Sequence, residues 1–163
     1  MDVGGFYMKK LVVYYSYEGN TKYYADLLAN HLQADVLELK PVNEKSSKGF
    51  TKFVWGGYQA VMKKKPELVA YNFRPADYEM LVFATPVWAG TFAPPLRTFF
   101  EREDINGKKV AFLYTHQGGP GKVKEQLEEV LSDNHLLGSM DILTNKGSQE
   151  ENRKRLLSWA QAL

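Results

Sequence analysis

Residues 9–25 read Lys-Lys-Leu-Val-Val-Tyr-Tyr-Ser-Tyr-Glu-Gly-Asn-Thr-Lys-Tyr-Tyr-Ala. The apolar first part of this stretch predicts a strand that is buried on both faces of a parallel sheet. Apolar side chains at helical spacing predict a helix over Asn20 to Leu32. Between the two, Ser16 and Thr21 offer hydroxyl donors, and Gly19 lets the backbone approach a ligand closely. Because the first N–H groups of a helix lack partners within it, the stretch predicts a socket for a phosphate group.

The loop differs from the two most familiar phosphate-binding motifs. It has no lysine in a Gly-Lys-Ser/Thr arrangement, and it has one glycine where a dinucleotide fingerprint has three. Glu38 lies near the end of the second predicted strand, but without those glycines it reads as a solvated edge residue. Two interpretations of the loop stay open: a phosphate socket, and an ordinary turn in which Ser16 or Asn20 caps the helix.

Composition favours one globular domain. The chain has 163 residues, of which 44% are hydrophobic and 25% charged, which is ordinary for a compact domain. We expect residues 1–8 to be a loose N-terminal tail and residues 9–163 to form the domain. The absence of cysteine excludes disulfides, thiolate metal sites and cysteine nucleophiles. Since the net charge is +2 and no apolar run approaches the ~18 residues of a membrane span, we expect a cytoplasmic protein that binds neither nucleic acid nor membrane.

Predicted strands and helices alternate along the chain. This alternation is typical of a parallel sheet with right-handed crossovers and helices on both faces. We therefore predict an α/β fold with three α/β/α layers around a doubly wound, five-stranded parallel sheet of order 2-1-3-4-5. The predicted strands are residues 9–15, 35–39, 79–84, 108–114 and 136–143, and the predicted helices are residues 20–32, 46–65, 94–102, 121–131 and 149–163.

Ligands of such sheets bind beyond the carboxyl ends of the strands, where the strand order reverses. This rule selects three predicted loops, which are residues 16–21, 85–91 and 115–121. The second loop carries Trp88, whose indole either covers the core or offers a stacking surface to a flat ligand. The sequence therefore predicts a site that combines a phosphate socket with an aromatic surface.

With these three motifs in order, the sequence resembles the flavodoxin family of FMN-binding proteins. The resemblance rests on Ser-Tyr-Glu-Gly-Asn-Thr after strand 1, Thr-Pro-Val-Trp-Ala-Gly-Thr after strand 3 and Thr-His-Gln-Gly-Gly-Pro-Gly after strand 4. It covers nearly all of residues 9–163 and implies noncovalently bound FMN. The first motif would hold the phosphate, the second would line the isoalloxazine with Trp88 against its face, and the third would border its other edge. The implied cofactor-binding residues are Ser16, Tyr17, Glu18, Gly19, Asn20, Thr21, Thr85, Pro86, Val87, Trp88, Ala89, Gly90, Thr115, His116, Gln117, Gly118 and Gly119.

The sequence provides few candidates for acid, base or metal chemistry. His116 is a candidate to hydrogen-bond the flavin or to donate a proton to a substrate, and its alternative role is that of a solvated loop residue. His31 and His135 read as structural. The His, Asp and Glu residues show no metal-ligand spacing, so we expect no metal site. Ser16 has no base positioned as in a hydrolase.

The resemblance implies an electron-transfer protein that exchanges electrons with redox partner proteins through the bound flavin. The alternative is an enzyme, an FMN-dependent NAD(P)H oxidoreductase that reduces quinones or other small acceptors. Electron-carrying flavodoxins are commonly acidic, whereas this chain is slightly basic. The charge therefore does not predict which surface would dock a redox partner. Residues 46–65 either roof the flavin or cover one face of the sheet, and the chain is expected to be a monomer or a homodimer.

Overall fold

The computed structural model describes residues 7–44, 64–145 and 147–163. Most of the predicted helix over residues 46–65, and most of the predicted N-terminal tail, lie outside the described residues. The described strands are β1 (Lys10–Tyr14), β2 (Asp35–Glu38), β3 (Met80–Trp88), β4 (Thr91–Phe92), β5 (Lys109–His116) and β6 (His135–Leu143). The described helices are α1 (Asn20–Leu32), α2 (Pro94–Arg102), α3 (Val123–Val130) and α4 (Gln149–Ala160), with a 3₁₀ turn at Pro75–Asp77.

The sheet confirms the predicted fold class. Five parallel strands lie in the order β2-β1-β3-β5-β6, which corresponds to the predicted order 2-1-3-4-5. The strand order reverses beside β1, because the chain goes first to β2 on one side and then to β3 on the other. A sixth strand, β4, pairs only with β3, in antiparallel orientation. The prediction of five strands omitted this short strand.

Apolar side chains on the two faces of the sheet form two cores. On one face, Leu11 and Val13 of β1 pack with Leu96 and Phe99 of α2 and with neighbouring residues of α3. On the other face, alternate residues of the same strand pack against α1 and α4. The alternation follows from the period of two residues along a strand. Among the described residues, no helix has the length and apolar character that crossing a bilayer requires.

The predicted end of the third strand at Ala84 is wrong. β3 continues through Pro86 to Trp88, pairing with β5 as far as Pro86 and with β4 at Val87 and Trp88. Pro86 is tolerated because β1 pairs with β3 only up to Ala84, so the missing N–H of the proline removes no hydrogen bond to β1. The predicted loop over residues 85–91 is therefore a strand end followed by a tight hairpin.

A bulge shifts the pairing between the last two strands of the sheet. Val110 pairs with Leu136, but the next pair is Ala111 with Gly138, which leaves Leu137 as the extra residue. An extra residue exchanges the faces to which the following side chains point. Beyond the bulge, Asp141 pairs with Tyr114 and therefore shares the face on which Tyr114 lies.

Candidate functional site

One cavity lies at the carboxyl ends of β1, β3, β5 and β6, where the fold rule predicts a ligand. Its volume is about 200 Å³, many times the space that one water molecule occupies. An organic ligand therefore fits its dimensions better than a single bound water does. The cavity is lined by Ser16, Tyr17, Glu18, Asn20, Thr21, Pro86, Val87, Trp88, Ala89, Thr115, His116, Gln117 and Thr144.

The amino-terminal end of α1 opens into this cavity. Gly19 is its N-cap in the left-handed conformation, with φ of 102°, and within this described helix no side chain caps the end and no acidic residue occupies the first turn. The Gly19 N–H donates to Ser16 Oγ over 3.1 Å, so the serine hydroxyl keeps its own proton for a ligand. The positive end of the helix dipole and its unpaired N–H groups favour an anion here.

Two buried threonine hydroxyls form the floor of the socket. Thr21 Oγ1 and Thr115 Oγ1 lie 2.8 Å apart in a buried hydrogen bond, and both residues line the cavity. A pair of hydroxyls has two protons and uses one in its mutual bond, so the second proton can be donated to a ligand oxygen. The pair also fixes α1 to β5, because Thr21 lies in the first turn of α1 and Thr115 lies near the end of β5.

Aromatic side chains form the apolar wall of the cavity. The Trp88 ring contacts the Tyr15 ring at a centroid distance of 5.4 Å and the Tyr17 ring at 5.9 Å, both edge to face. Tyr15 is buried and donates its phenolic hydrogen to Glu44. Burial, reinforced by this hydrogen bond, raises the pKa of Tyr15, which keeps the phenol neutral. The indole is therefore braced from the core side, while Trp88 and Tyr17 both face the cavity.

A two-residue turn at the end of β3 joins the aromatic wall to the loop after β5. Trp88 pairs with Thr91 across the turn, and Ala89 and Gly90 both have positive φ, 49° and 74°, as the common hairpin turns require. The Gly90 carbonyl accepts a hydrogen bond of 2.9 Å from the Lys122 N–H. A Cβ on Gly121 would lie 2.3 Å from Gly90 Cα. The two backbones therefore touch, and only glycine fits at residue 121.

Three side chains fix the hairpin from behind. Thr91 Oγ1 donates to Gln126 Oε1 of α3 and accepts from Arg97 Nη2 of α2. The Arg97 guanidinium lies 4.3 Å from the centroid of the Phe92 ring, a cation–π contact. Burial lowers the pKa of Arg97, and its Nε is the one buried side-chain polar atom without a partner among the described residues. The network ties both helices of this face to β4.

Thr85 supports the hairpin from inside the protein and does not line the cavity. Its side chain is fully buried, donates to the Pro86 carbonyl over 2.8 Å and accepts a hydrogen bond from the Ala93 N–H over 2.9 Å.

We expect Thr85→Val to lower the free energy of unfolding by about 1–3 kcal/mol, because it leaves the buried Ala93 N–H without a partner. Urea denaturation measures the change, with Thr85→Ser as the control that retains the hydroxyl. Equal stability of Thr85→Val and the wild type would contradict this role.

The structure brings residues of all three predicted loops to one cavity. Besides Thr85, four predicted residues lie outside its lining, and all four are loop glycines: Gly19, Gly90, Gly118 and Gly119. Sequence reasoning missed Thr144, which follows β6 and donates its N–H to the His116 carbonyl over 2.7 Å. The rule that selected the other loops could have found it, because Thr144 also stands at the carboxyl end of a strand.

The family comparison agrees with this geometry. A family model described as Flavodoxin matches residues 9–160. The chain therefore belongs to the flavodoxin family. A search of curated protein sequences found no match.

Solved structures share the fold. A flavoprotein from Lactobacillus acidophilus NCFM, solved in complex with FMN, is 20% identical with a TM-score of 0.70, over 91% of this chain and 99% of that one. The Trp repressor binding protein of Bacillus subtilis is 16% identical with a TM-score of 0.64, over 95% and 99%. Two-electron reduced flavodoxin from Megasphaera elsdenii is 16% identical with a TM-score of 0.57, over 94% and 99%. At these identities, the likeness establishes a shared flavodoxin-like fold.

Proposed function

We propose that this protein binds FMN noncovalently and transfers electrons to and from protein partners. The observation that carries the proposal is the meeting of two different surfaces in one cavity. The open end of α1, with the Ser16 and Thr21 hydroxyls, suits a phosphate, and the Trp88 wall suits a flat aromatic ring. FMN has both groups at its two ends.

The residues of the socket fit a phosphate without a cationic side chain. Neither lysine nor arginine occurs among the described residues that line the cavity. Hydroxyl protons and the N–H groups of the first turn of α1 can hold the anion instead. Glu18 also lines the cavity, and since its carboxylate would repel a phosphate, we expect its backbone N–H to face the anion. The ribityl chain would cross from this socket toward Trp88.

The other lining residues fit the ring. Val87 and Ala89 add apolar surface beside Trp88, and the turn at Ala89 and Gly90 brings backbone groups to the ring edge. Thr115 and Gln117 approach from β5 and the segment after it. When bound, FMN supplies the redox chemistry, since its isoalloxazine accepts and donates electrons one or two at a time. The protein binds and orients this group, excludes water from its face and presents backbone hydrogen-bond partners to its edge.

The alternative is an NAD(P)H oxidoreductase on the same fold. Such an enzyme needs space for a nicotinamide over the flavin face opposite Trp88. Because Tyr17 and Trp88 touch each other and form one wall of the cavity, they contact the same side of the ring, so access to the opposite side decides between the two functions.

Steady-state oxidation of NADH and NADPH distinguishes the two functions. With a quinone present, we expect the FMN-loaded protein to oxidise either nucleotide no faster than free FMN at the same concentration. A carrier should instead exchange electrons rapidly with a redox protein after anaerobic reduction by dithionite. Saturable nucleotide oxidation well above the rate with free FMN would overturn the carrier function in favour of the enzyme.

A further inference from the structure

The His116 ring is held between two hydrogen-bond partners. Nε2 bonds the Asp141 carboxylate, and Nδ1 lies 3.1 Å from the Gly118 nitrogen as the acceptor of its N–H. Because a backbone N–H can only donate, Nδ1 must present its lone pair and the ring proton must be on Nε2. Asp141 therefore accepts from Nε2–H. The ring is 8% exposed, while the Asp141 side chain is 45% exposed.

The end of β6 also holds the backbone of His116. The Thr144 N–H and hydroxyl both donate to the His116 carbonyl, over 2.7 Å and 3.2 Å. The imidazole stacks on the Tyr114 ring at a centroid distance of 6.4 Å and an interplanar angle of 27°. These contacts fix where His116 lies, and the bond to Asp141 fixes how its ring is turned.

Asp141 reaches His116 because of the bulge at Leu137. Without the extra residue, the register set by the pair Val110 and Leu136 would continue and place Asp141 opposite Thr115. The Thr115 side chain bonds Thr21 and therefore lies on the face of the sheet away from His116. With the bulge, Asp141 lies opposite Tyr114 and on the face of His116. A bulge beside a site commonly redirects one side chain in this way.

We propose that Asp141 is a positioning residue for the cavity, although it does not line it. By accepting from Nε2–H, Asp141 turns the His116 ring so that Nδ1 captures the Gly118 N–H. This second bond holds Gly118, whose φ is 133°, and sets Gln117 at the edge of the cavity. The consequence for the flavin rests on the proposed function. The arrangement of the His116 ring does not depend on that function, and it can be measured without a cofactor.

Nuclear magnetic resonance of the FMN-free full chain tests the arrangement. In the wild type we expect a slowly exchanging, downfield Nε2–H proton on His116. Asp141→Ala should lose this signal and speed exchange of the Gly118 amide at least about tenfold. Asp141→Asn should retain both signals, since its amide oxygen can still accept. Glu129→Gln, which removes a carboxylate from an exposed position of α3, is the control. A ring proton on Nδ1, or an unchanged Asp141→Ala spectrum, would overturn the proposal.

FMN titration of the same variants tests the consequence for binding. We expect Asp141→Ala to raise the Kd about tenfold and Asp141→Asn to stay within about threefold of the wild type. Wild-type affinity in Asp141→Ala, together with altered ring and amide signals, would overturn the positioning of the cavity edge. If the wild type itself binds no FMN, the proposed function fails, and the ring and amide signals still decide whether Asp141 orients His116.

Discussion

Gly121→Ala is expected to weaken FMN binding at least about thirtyfold and to lower the free energy of unfolding by about 2–5 kcal/mol. Two costs add at this residue. Its φ of 58° strains any side-chain-bearing residue, and the new Cβ would lie 2.3 Å from Gly90 Cα and 2.6 Å from the Gly90 oxygen. The hairpin and the loop after β5 must then separate, which stretches the bond between the Lys122 N–H and Gly90.

Gly107→Ala is the matched control for this prediction. Gly107 has a similar φ of 68°, but a Cβ there would meet nothing within 4 Å. Gly107→Ala should therefore lower the free energy of unfolding only by the cost of backbone strain, about 1–2 kcal/mol, and should keep wild-type FMN affinity. Urea denaturation and FMN titration of both variants provide the comparison. Equal losses of stability in the two variants, with unchanged affinity in Gly121→Ala, would contradict the close contact of the two loops.

Thr21→Val is expected to weaken FMN binding by about 10- to 100-fold while leaving riboflavin binding unchanged. The valine removes a hydroxyl from the socket, and a hydrogen bond to a charged group contributes about 1.5–3 kcal/mol. Riboflavin has no phosphate, so it does not use the socket. Riboflavin binding also reports any general loosening of the cavity. The variant removes the buried hydrogen-bond partner of Thr115, and a loosening from this cause would weaken both ligands alike.

Thr98→Val controls for the loss of a buried hydroxyl in itself. Thr98 lies in α2, and its hydroxyl donates to the Pro66 carbonyl over 2.6 Å, outside the cavity lining. We expect this variant to keep wild-type affinity for both flavins. Isothermal titration calorimetry gives the Kd values of the wild type and both variants for the two flavins. If Thr21→Val weakened FMN and riboflavin by the same factor, the phosphate would not lie at the opening of α1.

Local sequence pattern predicted much of the fold. The apolar run after Lys9 and the helical spacing after Asn20 depend only on neighbouring residues, and α1 has the predicted bounds. The pair Pro94 and Pro95 marked the first turn of α2 in the same way, since proline suits the start of a helix. Alternating elements then restricted the topology enough to predict the strand order.

The features that sequence reasoning missed depend on contacts between distant residues. Pro86 and Gly90 resemble loop residues, and only the pairing of β3 with β5 and with β4 makes residues 85–88 a strand. The extra residue at Leu137 is set by pairing with β5, so Asp141 could not be assigned to a face. The need for glycine at Gly121 comes from a loop more than thirty residues earlier in the chain.

The measurement that most directly tests FMN binding at this cavity is an equilibrium titration of FMN with the purified, FMN-free protein, followed by flavin fluorescence. A ring stacked on the aromatic wall at Trp88 should lose its emission as it binds. We predict saturable quenching with one FMN per chain. Flavin emission that stays at the level of free FMN through an excess of protein, with no binding detected by equilibrium dialysis of the same samples, would contradict the account.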